Sequence, residues 1–227
     1  MPNLPMDNGC TGCGACAQTC AKQAIKIVEN KEGFLVPLID ASKCVECGLC
    51  EKRCHVLNRP QQELSKQKTY AVINYEDRKL SSSGGAFSMF ARYVLGKGGV
   101  VFGAAFDPFP HLKHIAIESL ENLDKLRGSK YVQSEIGDTY KQVKELLKTD
   151  RMILYTGTPC QIEVFMLFLA VTVMKVSLSR STLCAMVCQI KPLSEHIWKN
   201  SKKQNISTQQ SRGISVGSAF VTLTAGR

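Results

Sequence analysis

The stretch CTGCGACAQTC at residues 10–20 returns as CVECGLCEKRC at residues 44–54. Cys10, Cys13, Cys16 and Cys20 have the spacing C-x2-C-x2-C-x3-C, and Cys44, Cys47, Cys50 and Cys54 repeat it at a constant offset of 34 residues. Three thiolates set two residues apart wrap one face of an iron-sulfur cubane from a tight loop. The fourth, one helical turn on, points toward the opposite loop, so each cluster borrows its last ligand from the other repeat. This assigns Cys10, Cys13, Cys16 and Cys54 to one 4Fe-4S cluster, and Cys44, Cys47, Cys50 and Cys20 to a second. A pair of zinc sites is the competing reading, but zinc needs only two CxxC pairs per site and leaves the third and fourth cysteines of each run without a task. Gly9, Gly12, Gly14 and Gly48 supply the positive φ angles and close backbone approach that such loops require, with amides free to bond sulfur.

Outward from this repeat, the 227 residues are 44% hydrophobic and 21% charged, enough for one ordinary globular domain or two small ones, which excludes a mostly disordered chain. Eight of the 11 cysteines fall within the first 54 residues. The longest apolar run, around Val164 to Val173, is short of a bilayer crossing, and Met1 to Leu4 lacks the layout of a signal peptide. The reading is therefore a soluble cytoplasmic protein with no membrane span, in which a dense cysteine cluster means metal or redox chemistry rather than disulfides. Net charge is +10 overall, yet residues 171–227 carry +7 of it in a Ser/Thr/Gln-rich tail. That tail has no face of interleaved basic and aromatic residues, so no nucleic-acid partner is expected.

Between the repeats, Ile25 and Ile27 and then Phe34, Val36 and Leu38 alternate around the turn Asn30 to Gly33, a hairpin signal. Residues 5–58 resemble the bacterial two-cluster ferredoxins, with one departure: that family usually places proline after the fourth cysteine, where this chain has Ala21 and His55. The departure is expected to alter loop stiffness and cluster potential more than ligation.

The polar run of residues 61–69 reads as a linker, separating a ferredoxin domain at 1–60 from a second domain at 70–163. Tyr70 to Tyr75 alternates like a strand. Ser81 to Gly85 forms a turn, Phe87, Phe90, Tyr93 and Val94 follow at helical spacing, and Gly96, Gly98 and Gly99 close the helix. Strands are predicted at Val100 to Phe106, Lys113 to Glu118 and Met152 to Tyr155, with a helix at Tyr140 to Lys148. The fold class is thus α+β: a small two-cluster ferredoxin module followed by an incomplete α/β flavin-type domain. Two of its turns have the character of anion sites. The Ser81–Gly85 run opens a helix, where amides, hydroxyls and the positive end of the dipole converge. Thr156 to Gln161 lies between a strand and an apolar stretch, with Pro159 suited to a first helical turn. The alternative for both is a plain N-cap.

Four ordered blocks, SSSGGAF at 81–87, GGVVFGAAF at 98–106, LRGSKYVQS at 126–134 and GTPCQ at 157–161, together resemble the coenzyme F-420 hydrogenase/dehydrogenase beta-subunit family over residues 68–163. The resemblance implies FAD as cofactor and electrons passing between iron-sulfur clusters, the flavin and a deazaflavin or other acceptor. It puts Ser82, Ser83, Gly84, Gly85, Gly128, Ser129, Lys130, Gly157 and Thr158 around the flavin or substrate. Lys130 either offers charge to a phosphate or reduced flavin or is an ordinary surface lysine. His114 corresponds roughly to a histidine that precedes the family's LRGSKY block, or is structural. Cys160 is a thiol near the flavin, a ligand to a further cluster, or a buried inert cysteine. A redox partner protein or companion oxidoreductase subunits are expected. No catalytic residue is assigned. The second reading is a ferredoxin-like electron carrier with a non-catalytic remnant domain.

After Gln161 the resemblance fades into the basic tail, residues 164–227, which reads as out of frame or disordered. The coding TCG ACC TTG TGT GCC ATG GTG TGC CAA is allowed for Ser181 to Gln189. Read two bases along after a G, it gives VDLVCHGVP, close to the family's continuation. Met186 before Val187 forces glycine in that frame, whatever the wobble bases. On this reading a slip lies between Glu163 and Ser181, and Cys184, Cys188 and Trp198 carry no selected function.

Overall fold

The computed structural model describes residues 1–6, 9–58, 68–173, 183–186, 207–209 and 219–223. The linker proposed at 61–69 lies outside these except for its last two residues, as do Cys188 and Trp198 of the tail.

The cysteine repeat builds a symmetric small module. Each run enters a short helix, α1 at Ala15–Thr19 and α2 at Leu49–Lys52, behind a left-handed glycine, Gly14 at φ 70° and Gly48 at φ 68°. Between them, β1 (Ile25–Glu29) and β2 (Leu35–Ile39) pair antiparallel, with Ile25 opposite Ile39 and Ile27 opposite Pro37. Asn30 makes the turn: its Oδ1 accepts the amides of Glu32 at 3.0 Å and Phe34 at 2.9 Å, and Gly33 takes φ 81°. The predicted hairpin is present, residue for residue.

The second part is a layered α/β unit. β3 (Lys68–Ile73) leads to α3 (Ala86–Leu95), β4 (Val100–Phe106), β5 (Leu112–Ile117), α4 (Leu123–Leu126), α5 (Thr139–Leu146), β6 (Ile153–Thr156) and α6 (Pro159–Val173). Further strands follow at β7 (Leu183–Met186), β8 (Ser207–Gln209) and β9 (Ala219–Leu223). One sheet has the order β5-β4-β6-β7, with β4, β6 and β7 parallel and β5 antiparallel on the edge. β3 joins a separate antiparallel sheet, β8-β3-β9, instead of the main one. α6 runs past the expected boundary at residue 163 to Val173, and Cys184 falls on β7.

Alternation along β4 and β6 sorts side chains between the two sheet faces. Val101, Ala105 and Leu154 meet α3 and α4 through Phe90, Val94, Leu123 and Leu126. Val100, Phe102, Ile153 and Tyr155 meet α5 and α6 through Tyr140, Val143, Phe165 and Phe168. Gly99 turns the chain from α3 into β4 where no side chain fits, since a Cβ would stand 2.5 Å from Met152 O and 2.6 Å from Val94 Cγ1.

A buried carboxylate ties the first face to its loops. Asp77 is fully buried, takes a bidentate hold from Arg92 of α3 at 2.9–3.1 Å, and also pairs with Arg127 after α4. Asn74 Nδ2 donates to it at 3.0 Å, and Asn74 N donates to Gly84 O at 2.7 Å, so the same node pins the Ser81–Gly85 turn. Burial alone pushes the Asp77 carboxyl up, but the hydrogen bonds and charges of Arg92 and Arg127 outweigh it and hold it below the ordinary carboxylate value. A depressed pKa contributes stability above the unfolded carboxylate range, and this stability is lost as pH falls through the folded value. Asp77→Asn leaves two arginines with a weaker partner. It is expected to cost about 3 kcal/mol in urea unfolding, since breaking a buried ion pair strands a charge. A loss below about 0.5 kcal/mol, the range of ordinary surface changes, would remove the node from this account.

Candidate functional site

The cysteine loops share more than spacing. Gly12 at φ 63° and Glu46 at φ 52° occupy equivalent positions of the two repeats, both left-handed. A non-glycine residue pays roughly 1–2 kcal/mol there. The second loop therefore holds its shape against local preference.

Cys10, Cys13, Cys16 and Cys54 line one recess, partly open to solvent, together with Leu4, Ile27 and Pro37. Three come from the first run and the last from the second. Of the other set, Cys20 and Cys50 share an apolar cluster with Ile25, Ile39 and also Cys16 and Cys54 of the first set, Cys44 is half-buried and Cys47 is exposed. Backbone amides already point at two sulfurs: Gly12 N donates to Cys10 Sγ at 3.4 Å and Ala24 N to Cys20 Sγ at 3.3 Å. Burial pushes the Cys13 thiol up to about 11 and, with help from the neighbouring Cys13 and Cys10, the Cys16 thiol up to about 12. Ligation must therefore displace protons from these sulfurs. Four cysteines in a mostly apolar recess, whose lining also includes Thr11 and His55 bonded to each other, suit a sulfur-ligated iron-sulfur cluster better than a hard oxygen-seeking cation.

The recess lies against the second domain. Cys13 and Ala15 belong to the same apolar cluster as Tyr140, Tyr155 and Phe165. Polar contacts flank this seam. Gln18 Oε1 accepts the amides of Tyr140 at 3.1 Å and Lys141 at 3.3 Å, at the start of α5. Arg53 Nη1 donates to Leu167 O at 2.7 Å, and His55 bridges Thr11 Oγ1 and Glu163 Oε2, each at 3.0 Å. Gln133 spans the seam from the LRGSKYVQS block: its Nε2 donates to Thr11 O at 3.1 Å and its Oε1 accepts Leu35 N at 2.8 Å. Sequence reading quoted that block without giving Gln133 a role, named His55 only as a departure from the usual proline, and gave Asp77 and Glu163 no role in the fold or site. Single polar residues carry no periodicity to betray them.

The residues assigned to a flavin gather in part. Ser129 Oγ donates to Ser82 Oγ at 3.1 Å, joining the Ser81–Gly85 and Gly128–Lys130 loops. Arg127 holds their roots together, bonding Ser88 Oγ at 3.0 Å as well as Asp77. Gly85, at φ 83°, stands at the start of α3. Lys130 is half-buried and donates to Arg127 O at 2.6 Å and Gly128 O at 3.3 Å, so it braces its own loop, and burial lowers its pKa. Gly157 and Thr158 sit at the carboxyl end of β6, where Gln161 Oε1 accepts Thr158 N at 2.8 Å. Their root meets that of the second loop over Gly103, where a Cβ would lie 2.8 Å from Thr156 Oγ1 and 3.4 Å from Leu126 Cδ1. Cys160 is half-buried, its sulfur 3.1 Å from Thr158 Oγ1.

His114 lies beneath this last loop, 7% exposed, stacked on Tyr155 with ring centroids 5.7 Å apart. Its Nε2 donates to Thr156 O at 3.0 Å, and its buried Nδ1 has no hydrogen-bond partner among the described residues. Burial lowers its pKa to about 4, against the hydrogen bond to Thr156. The sign follows: stability is intact above the ordinary histidine value of 6.5 and is lost as pH falls from there to about 4, because only the unfolded chain protonates readily in that window. Urea melts should lose about 3 kcal/mol across it, and His114→Phe, which keeps the stack, should flatten that loss. An unchanged slope in the variant would place the acid sensitivity elsewhere.

Residues 9–58 match the 4Fe-4S dicluster domain family. A stretch of 66 residues, 23% of this chain, is 38% identical to a CoB–CoM heterodisulfide reductase iron-sulfur subunit of Methanocaldococcus jannaschii and spans 10% of that protein. A structural match to the F420-reducing [NiFe] hydrogenase complex of Methanosarcina barkeri covers 43% of this chain and 34% of that one, at 22% identity and TM-score 0.36. The chain thus spans about a tenth of its curated relative and a third of the solved one. No helix among the described residues is long and apolar enough to cross a membrane. Through its dicluster domain the chain is an iron-sulfur protein with an electron-transfer role.

Proposed function

We propose that this chain is an oxidoreductase subunit in which two 4Fe-4S clusters exchange electrons with a flavin held by the α/β unit, and through it with a deazaflavin or another acceptor. The clusters take Cys10, Cys13, Cys16 and Cys54 in one case and Cys44, Cys47, Cys50 and Cys20 in the other. The reading is carried by one observation: residues 128–133 hold both the Ser129 contact to the Ser82 loop and the Gln133 contact to the Cys10–Cys13 loop. A loop suited to an anion and a loop suited to a cluster are thus braced by one short segment.

A flavin supplies the conversion between one-electron and two-electron transfers that separates clusters from hydride carriers. This chain's part is to bind and orient it. The hydroxyls of Ser82 and Ser83 and the amides opening α3 suit a phosphate at the positive end of a helix dipole. Gly157 and Thr158 stand at the carboxyl end of a parallel strand, where open α/β sheets take their ligands. Tyr131, 94% exposed beside Lys130, offers a ring face at the same edge. The local similarity to a heterodisulfide reductase component supports a chain that works beside a redox partner protein or companion subunits. Cytoplasmic operation follows from the thiol-rich composition.

Anaerobic reconstitution is expected to load about eight iron and eight sulfide per chain, the content of two cubanes. Cys20→Ala should disturb the cluster held by the second repeat, and a defect confined to the first repeat's cluster would refute crossed ligation. The same protein should retain FAD through gel filtration, and Ser82→Ala with Ser129→Ala should weaken that binding about a hundredfold, as two lost hydrogen bonds of about tenfold each imply. Clusters without flavin under every condition would leave the electron-carrier reading standing in its place.

A further inference from the structure

We infer that Gln133 is a positioning residue that tunes the cluster bound by Cys10, Cys13, Cys16 and Cys54, acting from the second domain through the Thr11–Gly12 peptide. The inference rests on the crossed-ligand reading above.

The carbonyl of Thr11 and the amide of Gly12 belong to one planar peptide, in which the two groups point in opposite directions. Gln133 Nε2 holds the carbonyl end at 3.1 Å. The amide end donates to Cys10 Sγ at 3.4 Å. Fixing one end fixes the other, so the glutamine side chain sets the direction of an N–H aimed at a ligand sulfur. The peptide would otherwise turn easily, since Gly12 sits at φ 63° with no side chain to hinder it.

The grip is rigid at its far end as well. Gln133 Oε1 accepts Leu35 N at 2.8 Å, so the amide group is held at both atoms and its orientation is set. A Cβ at Gly12 would run into that same amide group and would stand 2.8 Å from Leu35 O, which leaves glycine as the residue that fits beneath it. The neighbours fix the backbone of Gln133: Ser134 Oγ accepts Gln161 Nε2 at 3.0 Å, and Glu135 N donates to Leu112 O at 2.8 Å.

An N–H directed at a cysteine sulfur stabilises the more negative, reduced cluster, and hydrogen bonds to sulfur are among the determinants of cluster potential. Losing the grip should therefore lower the potential of this one cluster. A hydrogen bond of ordinary strength corresponds to about a tenfold change in the reduction equilibrium, which is 59 mV for one electron.

The test is an EPR-monitored redox titration of the reconstituted full chain, with the first cluster identified by the signal lost in Cys13→Ser and the second serving as internal reference. Gln133→Met, similar in length but without either polar atom, is expected to lower the first cluster's potential by about 59 mV and leave the second in place. Gln133→Glu keeps the acceptor for Leu35 N while removing the donor, so it stays docked and should show the same direction of shift. Gln18→Leu loosens the same domain seam without touching the Thr11–Gly12 peptide, and should leave the first cluster where it was. An unchanged potential in either Gln133 variant overturns the inference, as does an equal fall in Gln18→Leu, which would make burial at the seam the cause. Wild-type protein that takes up no cluster, or whose clusters follow uncrossed ligation, overturns the crossed-ligand reading and this inference with it.

Discussion

The Phe102–Tyr155 face of the main sheet has to be kept from water, and the rest of the molecule is arranged around that requirement. Tyr155 is fully buried, stacked on Phe165 at 4.3 Å and on Phe102 at 5.6 Å, with its hydroxyl 2.8 Å from Thr139 Oγ1. Rings of this size bring a large apolar area, but each phenol also needs a polar partner inside. Thr139 and the Gln161 carbonyl supply these for Tyr155 and Tyr140, which commits the starts of α5 and α6 to fixed places. Cys13 and Ala15 join the same cluster. The cysteine module is thus part of the wall of the α/β core rather than a separate bead on a linker.

On the proposed ligation, this packing would also set the surroundings of the clusters. A cluster at Cys10, Cys13, Cys16 and Cys54 would be screened from water by the second domain on the Cys13 side, while Cys47 of the other set is exposed. Solvent exposure is one of the quantities that sets cluster potential. Two sites built from the same eleven-residue pattern are thereby placed in unlike surroundings. The pattern is symmetric and the environment is not. On the proposed two-cluster ligation, a difference in potential between the clusters would be a property of docking.

Legibility in the sequence followed the range of the interactions. The cysteine repeat, the β1–β2 hairpin and, apart from the unpredicted α4, the strand–helix succession from Ala86 to Thr156 depend on local periodicity and turn chemistry, and their positions were readable to within a residue or two. α1 and α2, of five and four residues, are too short to establish a period, and their left-handed glycines were the available clue. The separate pairing of β3 was not readable, because its partners lie more than 130 residues away along the chain. The flavin-assigned loops were placed by resemblance, and the structure adds the physical reason for two of them to stand together: Asp77 collects Arg92 and Arg127 from different elements.

The seam itself marks where pattern reading ends. Gln18, His55, Gln133 and Glu163 are each one polar residue within an otherwise ordinary stretch, and each gains meaning only from a partner roughly 100 residues or more distant in sequence. Such contacts replace bonds to water and so contribute modest net stability, yet leaving one partner buried alone costs more than the bond supplies. Their effect is therefore selective rather than adhesive. The apolar cluster around Tyr140 would tolerate many ways of pressing the module against the helices, and the directional bonds of Gln18 and Gln133 restrict it to one. On the proposed tuning of a cluster by the Gly12 amide, that restriction of orientation matters more than the strength of the grip.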